Sequence, residues 1–178
     1  SAMVGIENAY SLGHEIARLD EAYARGARYV GMTHVGNNDL CSSANPDAEL
    51  GEPAHNSAGD AGISDFGRAV VARANVLGMM VDVSHASDTC VRDVLAMSNA
   101  PVIASHSSAR AVVDVPRNLP DDLLRAIGEA GGVVQAVAYY QFVKDDPARV
   151  AAEEALEAEV ARRLGVEEFD SDEHAQSP

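Results

Sequence analysis

Two short apolar runs near the middle of the chain end in the same way, and this repeat constrains the fold more than any other feature. The runs "MVDV" (80–83) and "PVIA" (101–104) are each followed by a serine and a histidine, His85 and His106. A segment with helical periodicity separates them, so the pattern predicts two parallel strands joined by a helix. The carboxyl ends of such strands lie side by side, where α/β proteins place their functional sites.

The same alternation extends along most of the chain and predicts a five-stranded parallel α/β sheet. The predicted strands are 3–7, 28–34, 79–84, 101–105 and 133–143, and the predicted helices between them are 11–27, 64–78, 87–99 and 119–132. The strands are nearly continuously apolar, which suits a sheet covered on both faces, as in a barrel or a doubly wound sheet. Residues 36–62 are rich in Gly, Asn, Ser, Asp and Pro and predict a long loop, which in a compact domain is usually functional.

Four of the predicted strands have a residue that can bind a metal at their carboxyl end, either as the last residue or directly after it. These residues are Glu7, His34, His85 and His106. A carboxylate and imidazoles that converge on one rim form a ligand set for zinc or a similar divalent ion. The chain has no GxGxxG after its first strand, no GxxxxGK[ST] and no GxSxG, which argues against dinucleotide, P-loop and serine-hydrolase functions.

Composition excludes several classes of partner. The formal charge of −15 repels phosphate backbones and anionic lipid, so nucleic acid is not expected as a partner. No apolar run approaches the ~18 residues that span a bilayer, so no membrane segment is expected. The compartment, bacterial cytoplasm or periplasm, stays open, and we expect any signal peptide to lie outside these residues.

The remaining cysteines and histidines give weaker signals. Cys41 and Cys90 are not in a CxxC or similar spacing, and we expect both to be ordinary small apolar residues. His14 falls in a predicted helix, His55 in the long loop and His174 in the polar tail. We expect these three side chains to be solvated and not to bind metal.

The most specific sequence block is "GISDFGRAVVARANVLGMMVDVSHASD", followed by "APVIASHSSARAVVDVPRNL". It resembles the renal or membrane dipeptidases, zinc enzymes of the metal-dependent hydrolase superfamily with a (β/α)8 barrel, and the resemblance covers about residues 4–143. It implies the α/β fold of a partial TIM-type barrel, with about five of the eight βα units. The resemblance also implies roles for five residues: Glu7 bridging two zinc ions, His85 and His106 completing the second metal's ligands, His34 contacting the scissile carbonyl, and Arg117 receiving the substrate's terminal carboxylate. Arg110 is a further candidate anion contact, although bracing of its loop is the favoured role.

The activity that the resemblance implies is hydrolysis of dipeptides by metal-activated hydroxide. A complete site of this family holds two zinc ions, but the HxD pair that ligates the first metal and an aspartate of the eighth strand are absent from this sequence. We therefore expect residues 1–144 to be the central part of a barrel that is inactive by itself. Residues 145–178 are then an acidic helical insertion and a polar tail. The sequence leaves open whether the protein forms a homo-oligomer.

Two other functions remain open on the sequence. One is another metal-dependent amidohydrolase, acting on lactones or amides, for which a carboxylate anchor would be unnecessary. The other is an inactive remnant that serves as a binding or oligomerisation module. An upstream strand that ends in HxD would favour the dipeptidase.

Overall fold

The computed structural model describes residues 2–166 and confirms the predicted α/β fold with five parallel strands. The strands are β1 Val4–Ile6, β2 Ala27–Gly31, β3 Met80–Asp82, β4 Ile103–Ser107 and β5 Val133–Ala136. The helices are α1 Ala17–Ala24, α2 Asp65–Leu77, α3 Asp88–Met97, α4 Asp121–Glu129, α5 Tyr140–Val143 and α6 Pro147–Leu164, and a short 3-10 helix covers Ala9–Leu12.

Strand order in the sheet follows the order in the sequence, β1-β2-β3-β4-β5, and every neighbouring pair is parallel. Asp82 of β3 lies opposite Ile103 of β4, which in turn lies opposite Val133 of β5. Because all five strands run the same way, their carboxyl ends form one continuous rim.

Local signals in the sequence account for the helix boundaries. The side chain of Ser64 accepts a hydrogen bond from the amide of Gly67 and caps α2, and Gly78 ends the helix in the left-handed conformation at φ 72°. Ser87 caps α3 in the same way by accepting from the amide of Cys90. The apolar faces of the first four helices pack on a core shared with the sheet, which includes buried Leu19, Val70, Val91 and Ile127.

Two predicted elements are shorter in the structure. The helix predicted at 11–27 is divided, because Gly13 and His14 both adopt positive φ (54° and 60°) between the 3-10 helix and α1. The strand predicted at 133–143 ends at Ala136, since its only described neighbour, β4, itself ends at Ser107.

The long loop between β2 and α2 is covalently tied to α3. Cys41 in the loop forms a disulfide with Cys90, 49 residues further along the chain. The prediction that these cysteines are ordinary apolar residues was therefore wrong. Both are buried as predicted for apolar side chains, but the folded loop places one against the other, which their spacing in the sequence does not reveal.

The chain divides into two compact units, Ser1–Val143 and Lys144–Pro178. The first holds the sheet, and the described part of the second is dominated by α6. The assignment of residues 145–178 as an acidic helical insertion and a polar tail stays a prediction, and residues 167–178 lie outside the described part of the chain. None of the helices within residues 2–166 is long and apolar enough to cross a membrane.

Candidate metal centre

The rim of the sheet brings together the four residues that end the predicted strands. Glu7 follows β1 directly, His34 and His85 each lie three residues beyond the ends of β2 and β3, and His106 is the penultimate residue of β4. Parallel strands in sequential order place these positions next to one another. The convergence therefore follows from the topology of the sheet.

One carboxylate oxygen faces three imidazole nitrogens. The Oε1 atom of Glu7 lies 3.3 Å from Nε2 of His106, 3.6 Å from Nε2 of His85 and 3.9 Å from Nε2 of His34. The Nε2 atoms of His85 and His106 are 2.9 Å apart. Among residues 2–166, Glu7, His85 and His106 form the one group of three or more such ligands whose donor atoms all lie within 4.8 Å of one another.

His34 lies beside this group and is not part of it. Its ring packs on the ring of His85 with centroids 4.1 Å apart, and about a third of its side chain is exposed. The Oγ of Ser43, in the long loop, donates to the carbonyl oxygen of His34 at 2.5 Å. The loop therefore helps to fix the backbone from which this imidazole extends.

Neighbouring side chains fix the orientation of His106. The Oγ of Ser105 lies 2.8 Å from Nδ1 of His106 and also bonds the carboxylate of Asp82. A carboxylate only accepts, so the single hydroxyl proton of Ser105 goes to Asp82, and His106 must donate from Nδ1. The lone pair of His106 Nε2 is thereby turned toward Glu7, the arrangement that a metal ligand needs.

His85 is held by its backbone. It adopts φ 69°, a left-handed conformation that is uncommon for a residue with a side chain and that the surrounding structure must stabilise. Its carbonyl oxygen accepts from the amide of Ala44 at 2.7 Å, which supplies part of that stabilisation from the long loop. Its Nδ1 atom is buried and has no hydrogen-bond partner among the described residues.

Both histidines of the group are held neutral near neutral pH. Burial, together with the charges of Arg117, His34 and His106, lowers the pKa of His85 to about 2. Burial, followed by the charge of Arg117, also lowers the pKa of His106. A neutral imidazole is the form that binds metal, so one carboxylate and two such imidazoles fit a zinc ion by donor type and protonation state.

Arg117 lies near the same histidines although it belongs to the loop after β4. Its side chain is nearly buried, its Nη2 donates to the carbonyl oxygen of His106 at 3.3 Å, and its guanidinium lies 5.4 Å from the ring centre of Phe142. Burial lowers its pKa to about 10, against the opposing charges of Asp82 and Glu7. The group therefore remains cationic at neutral pH.

The other histidines differ in part from their predictions. His14 is exposed, but it lies in a turn and not in a helix, with Nε2 2.7 Å from a carboxylate oxygen of Asp39. His55 was predicted to be solvated, which was wrong: only 11% of its side chain is exposed, and its Nε2 lies 3.4 Å from Oδ1 of Asp88. Neither belongs to the metal-binding group, and His174 lies outside the described residues.

Sequence reasoning missed the partner of Arg110. This side chain was expected to brace its loop, and in the structure it bonds the carboxylate of Asp88 and the carbonyls of Pro116 and Asn118. Asp88 lies in the first turn of α3, and the sequence predicts no functional role for it. A buried partner for Arg110 has no signal in the sequence, because the two residues belong to different βα units.

The fold and this rim define the chain as a parallel α/β protein with a candidate metal centre at the carboxyl ends of its strands. It belongs to the membrane dipeptidase family, peptidase family M19, whose sequence pattern matches residues 1–168. The predicted family is thus confirmed.

Individual relatives agree with this assignment. Human Dipeptidase 3 and mouse Dipeptidase 3 are each 40% identical to the chain over 134 residues, which is 75% of this chain and 26% of theirs. The probable dipeptidase PvdM from Pseudomonas aeruginosa superposes with a TM-score of 0.77 at 34% identity, covering 93% of this chain and 40% of PvdM.

A Rhodobacter sphaeroides metallo peptidase, solved with a phosphinate mimic of the dipeptide L-Ala-D-Ala, has a TM-score of 0.65 at 27% identity and covers 75% of this chain and 37% of that one. The chain thus spans about a quarter of the length of the curated relatives and about 40% of the solved structures. Members of the family have a TIM-barrel fold, which confirms that the five-stranded sheet is part of such a barrel. A metallopeptidase family also implies a bound metal.

Proposed function

We propose that the whole protein to which these residues belong is a zinc-dependent dipeptidase, and that this chain contributes one metal site and part of the substrate site. The observation that carries the proposal is the single carboxylate oxygen of Glu7 that faces Nε2 of both His85 and His106. Family membership supports the reaction class. The R. sphaeroides relative bound a mimic of L-Ala-D-Ala, which supports a dipeptide as the substrate.

Glu7, His85 and His106 would hold a zinc ion, and Glu7 would bridge it to a second one. When bound, the metal supplies a Lewis acid for the scissile carbonyl and lowers the pKa of a water molecule that it holds. By the family resemblance, the second ion needs an HxD pair that the 178 residues do not contain. The expectation that this chain is inactive by itself therefore stays a prediction.

His34 would stabilise the negative charge that develops on the carbonyl oxygen of the substrate. Its Nε2 points toward Glu7 from 3.9 Å, close enough to share the site and too far to be hydrogen-bonded to that carboxylate. Its partly exposed ring can therefore donate to a substrate oxygen. A preorganised donor at such a position stabilises the transition state more than the ground state.

Arg117 would bind the free carboxylate at the substrate's C-terminus. A guanidinium matches a carboxylate with two parallel hydrogen bonds, and burial strengthens that interaction. The cation lies beside His106 through its bond to that residue's carbonyl oxygen. A short peptide bound at the metal would thus place its carboxylate within reach of this side chain.

The test is hydrolysis of a dipeptide and of its C-terminal amide by the zinc-loaded whole protein, in the wild type and in two variants. His34→Ala should lower kcat for both substrates by about 10²–10³, the usual loss when an oxyanion donor is removed. Arg117→Ala should raise KM for the free dipeptide and leave the amide unchanged.

The exposed Arg125→Ala on α4 is the matched control and should change neither substrate's kinetics. Equal losses on the dipeptide and the amide in Arg117→Ala would contradict the assigned role of Arg117. Hydrolysis of lactones or simple amides in preference to dipeptides would favour another metal-dependent amidohydrolase.

A further inference from the structure

A buried ion pair lies beside the candidate site and joins two βα units. The carboxylate of Asp88, at the start of α3, is 5% exposed, and the guanidinium of Arg110, in the loop after β4, is 19% exposed. Nη1 of Arg110 donates to Oδ2 of Asp88 at 2.7 Å, and Nη2 donates to Oδ1 at 2.8 Å. The pair is therefore bidentate, which fixes the plane of the guanidinium as well as its position.

The other donors of Arg110 bond the backbone on both sides of Arg117. Nε donates to the carbonyl oxygen of Asn118 at 2.9 Å, and Nη2 donates to the carbonyl oxygen of Pro116 at 3.2 Å. The backbone amide of Arg110 also donates to Leu119 at 2.9 Å. One side chain thus closes the loop and fixes the residues immediately before and after Arg117.

Residues of the long loop also hold the carboxylate of Asp88 in place. Nδ2 of Asn56 donates to its Oδ2 at 2.8 Å, and Nε2 of His55 lies 3.4 Å from its Oδ1, so the long loop also contacts this carboxylate. Burial opposes ionisation of Asp88, but its contact with His55 and the hydrogen bonds from Arg110 and Asn56 outweigh burial and lower the pKa of the carboxyl group. The carboxylate is therefore charged when it meets Arg110.

A buried ion pair is weak evidence for stability, because desolvation of two charges offsets much of their attraction. The position of the pair in the fold says more about its role than its contribution to stability does. Asp88 lies three residues after His85, and the two carbonyls that Arg110 binds flank Arg117. The pair therefore ties the segment of one candidate metal ligand to the segment of the candidate carboxylate anchor.

We propose that Asp88 and Arg110 are positioning residues that hold Arg117 at the distance from the metal centre that a dipeptide's terminal carboxylate requires. This inference rests on the proposed function for the role of Arg117. The positioning itself does not depend on that role and is measured separately.

Three variants of the zinc-loaded whole protein test the inference. Arg110→Lys keeps the charge but has no planar fork with which to bond Asp88 and two carbonyls at once. Asp88→Asn keeps the shape of the side chain and removes its charge. Arg92→Gln is the matched control. Arg92 belongs to α3, as Asp88 does, and its ion pair with Asp122 is more than half exposed and bonds neither Asp88 nor Arg110.

Two readouts separate positioning from function. The first is hydrogen–deuterium exchange of residues 108–119 together with the Nε–Hε NMR signal of Arg117. The second is the ratio of KM for a dipeptide to KM for its C-terminal amide. In Arg110→Lys and Asp88→Asn we expect faster exchange, a broadened Arg117 signal, and a KM for the free dipeptide raised about tenfold, as for loss of a charge-assisted hydrogen bond. The KM of the amide, and both readouts in Arg92→Gln, should be unchanged.

Unchanged exchange and an unchanged Arg117 signal in both variants would overturn the inference. Altered exchange with a preserved preference for the free carboxylate would also overturn it, because Arg117 would then not need these residues. If the wild type itself does not distinguish dipeptide from amide while exchange still responds to the variants, the role of Arg117 in the proposed function fails and the positioning stands. Should Asp88→Asn not fold, the milder Arg110→Lys carries the same comparison.

Discussion

The orientation of His106 is set by its neighbours as much as by its own strand. Ser105 donates its one hydroxyl hydrogen bond to Asp82 and accepts a hydrogen bond from Nδ1 of His106, so the three side chains together fix one tautomer. His85 has no such partner at Nδ1 among the described residues and is held through its carbonyl oxygen instead. The two imidazoles of one candidate site are thus oriented by different means.

Removing the hydroxyl of Ser105 should weaken metal binding. Ser105→Ala takes away the acceptor for His106 Nδ1, and loss of such a partner commonly costs about 10–100-fold in metal affinity. The measurement is a zinc titration against a competing chelator. Ser57→Ala, at an exposed position in the long loop, is the control. Equal zinc affinities in the two variants would contradict the role of Ser105 in orienting His106.

At the scale of secondary-structure elements, the long loop between β2 and α2 is stabilised differently from the helices and strands around it. It carries no helix or regular strand from residue 32 to residue 64, yet it bonds the backbone of His34 and His85 and contacts Asp88. The Cys41–Cys90 disulfide connects this loop to α3. Hydrogen bonds within the loop, such as those from the amides of Gly36 to Asn45 and of Ser43 to Asn37, therefore act together with its links to the rest of the unit.

Loss of the disulfide should destabilise the protein measurably. The bond spans 49 residues, and closing a loop of that size stabilises by about 2–4 kcal/mol through the entropy of the unfolded chain. Urea unfolding of Cys41→Ala/Cys90→Ala should show this decrease in the free energy of unfolding. Dithiothreitol should lower the wild type to a similar value and leave the double variant unaffected; a wild type insensitive to complete reduction would contradict the prediction.

At the scale of the whole molecule, the described sheet has two edges. β1 and β5 each pair on one side only, and Val4 and Val133 on these strands are 65% and 54% exposed. Apolar edge strands are templates for pairing with another chain. Association of residues 1–178 through these edges is therefore expected.

A charge on an edge should reduce that association. Val133→Lys places an ammonium on the exposed edge strand β5, whereas the control Val76→Lys places one on the outer face of α2, where Val76 is 74% exposed. Sedimentation velocity across a range of concentrations should show self-association of the wild type and the control, and less in Val133→Lys. A wild type that stays monomeric at every concentration would contradict this expectation.

The sequence alone determined the features that depend on neighbours within a few positions. Apolar periodicity placed five strands, and the serines at 64 and 87 with Gly78 marked helix ends, because capping and amphipathicity act within a turn or two. The alternation of strand and helix implied parallel strands, which was enough to predict that Glu7, His85 and His106 share one rim. The roles of these residues remain predictions.

Only the tertiary structure decided which distant residues meet. The disulfide, the buried contact of His55 with Asp88, and the bidentate pair of Asp88 with Arg110 all join segments 22 to 49 residues apart. The separation of such residues in the sequence does not determine their distance in space, since that distance depends on how a loop without regular structure folds over the helices. Contacts of that kind are determined by packing and loop closure across the whole unit, and a periodic pattern in the sequence carries no record of them.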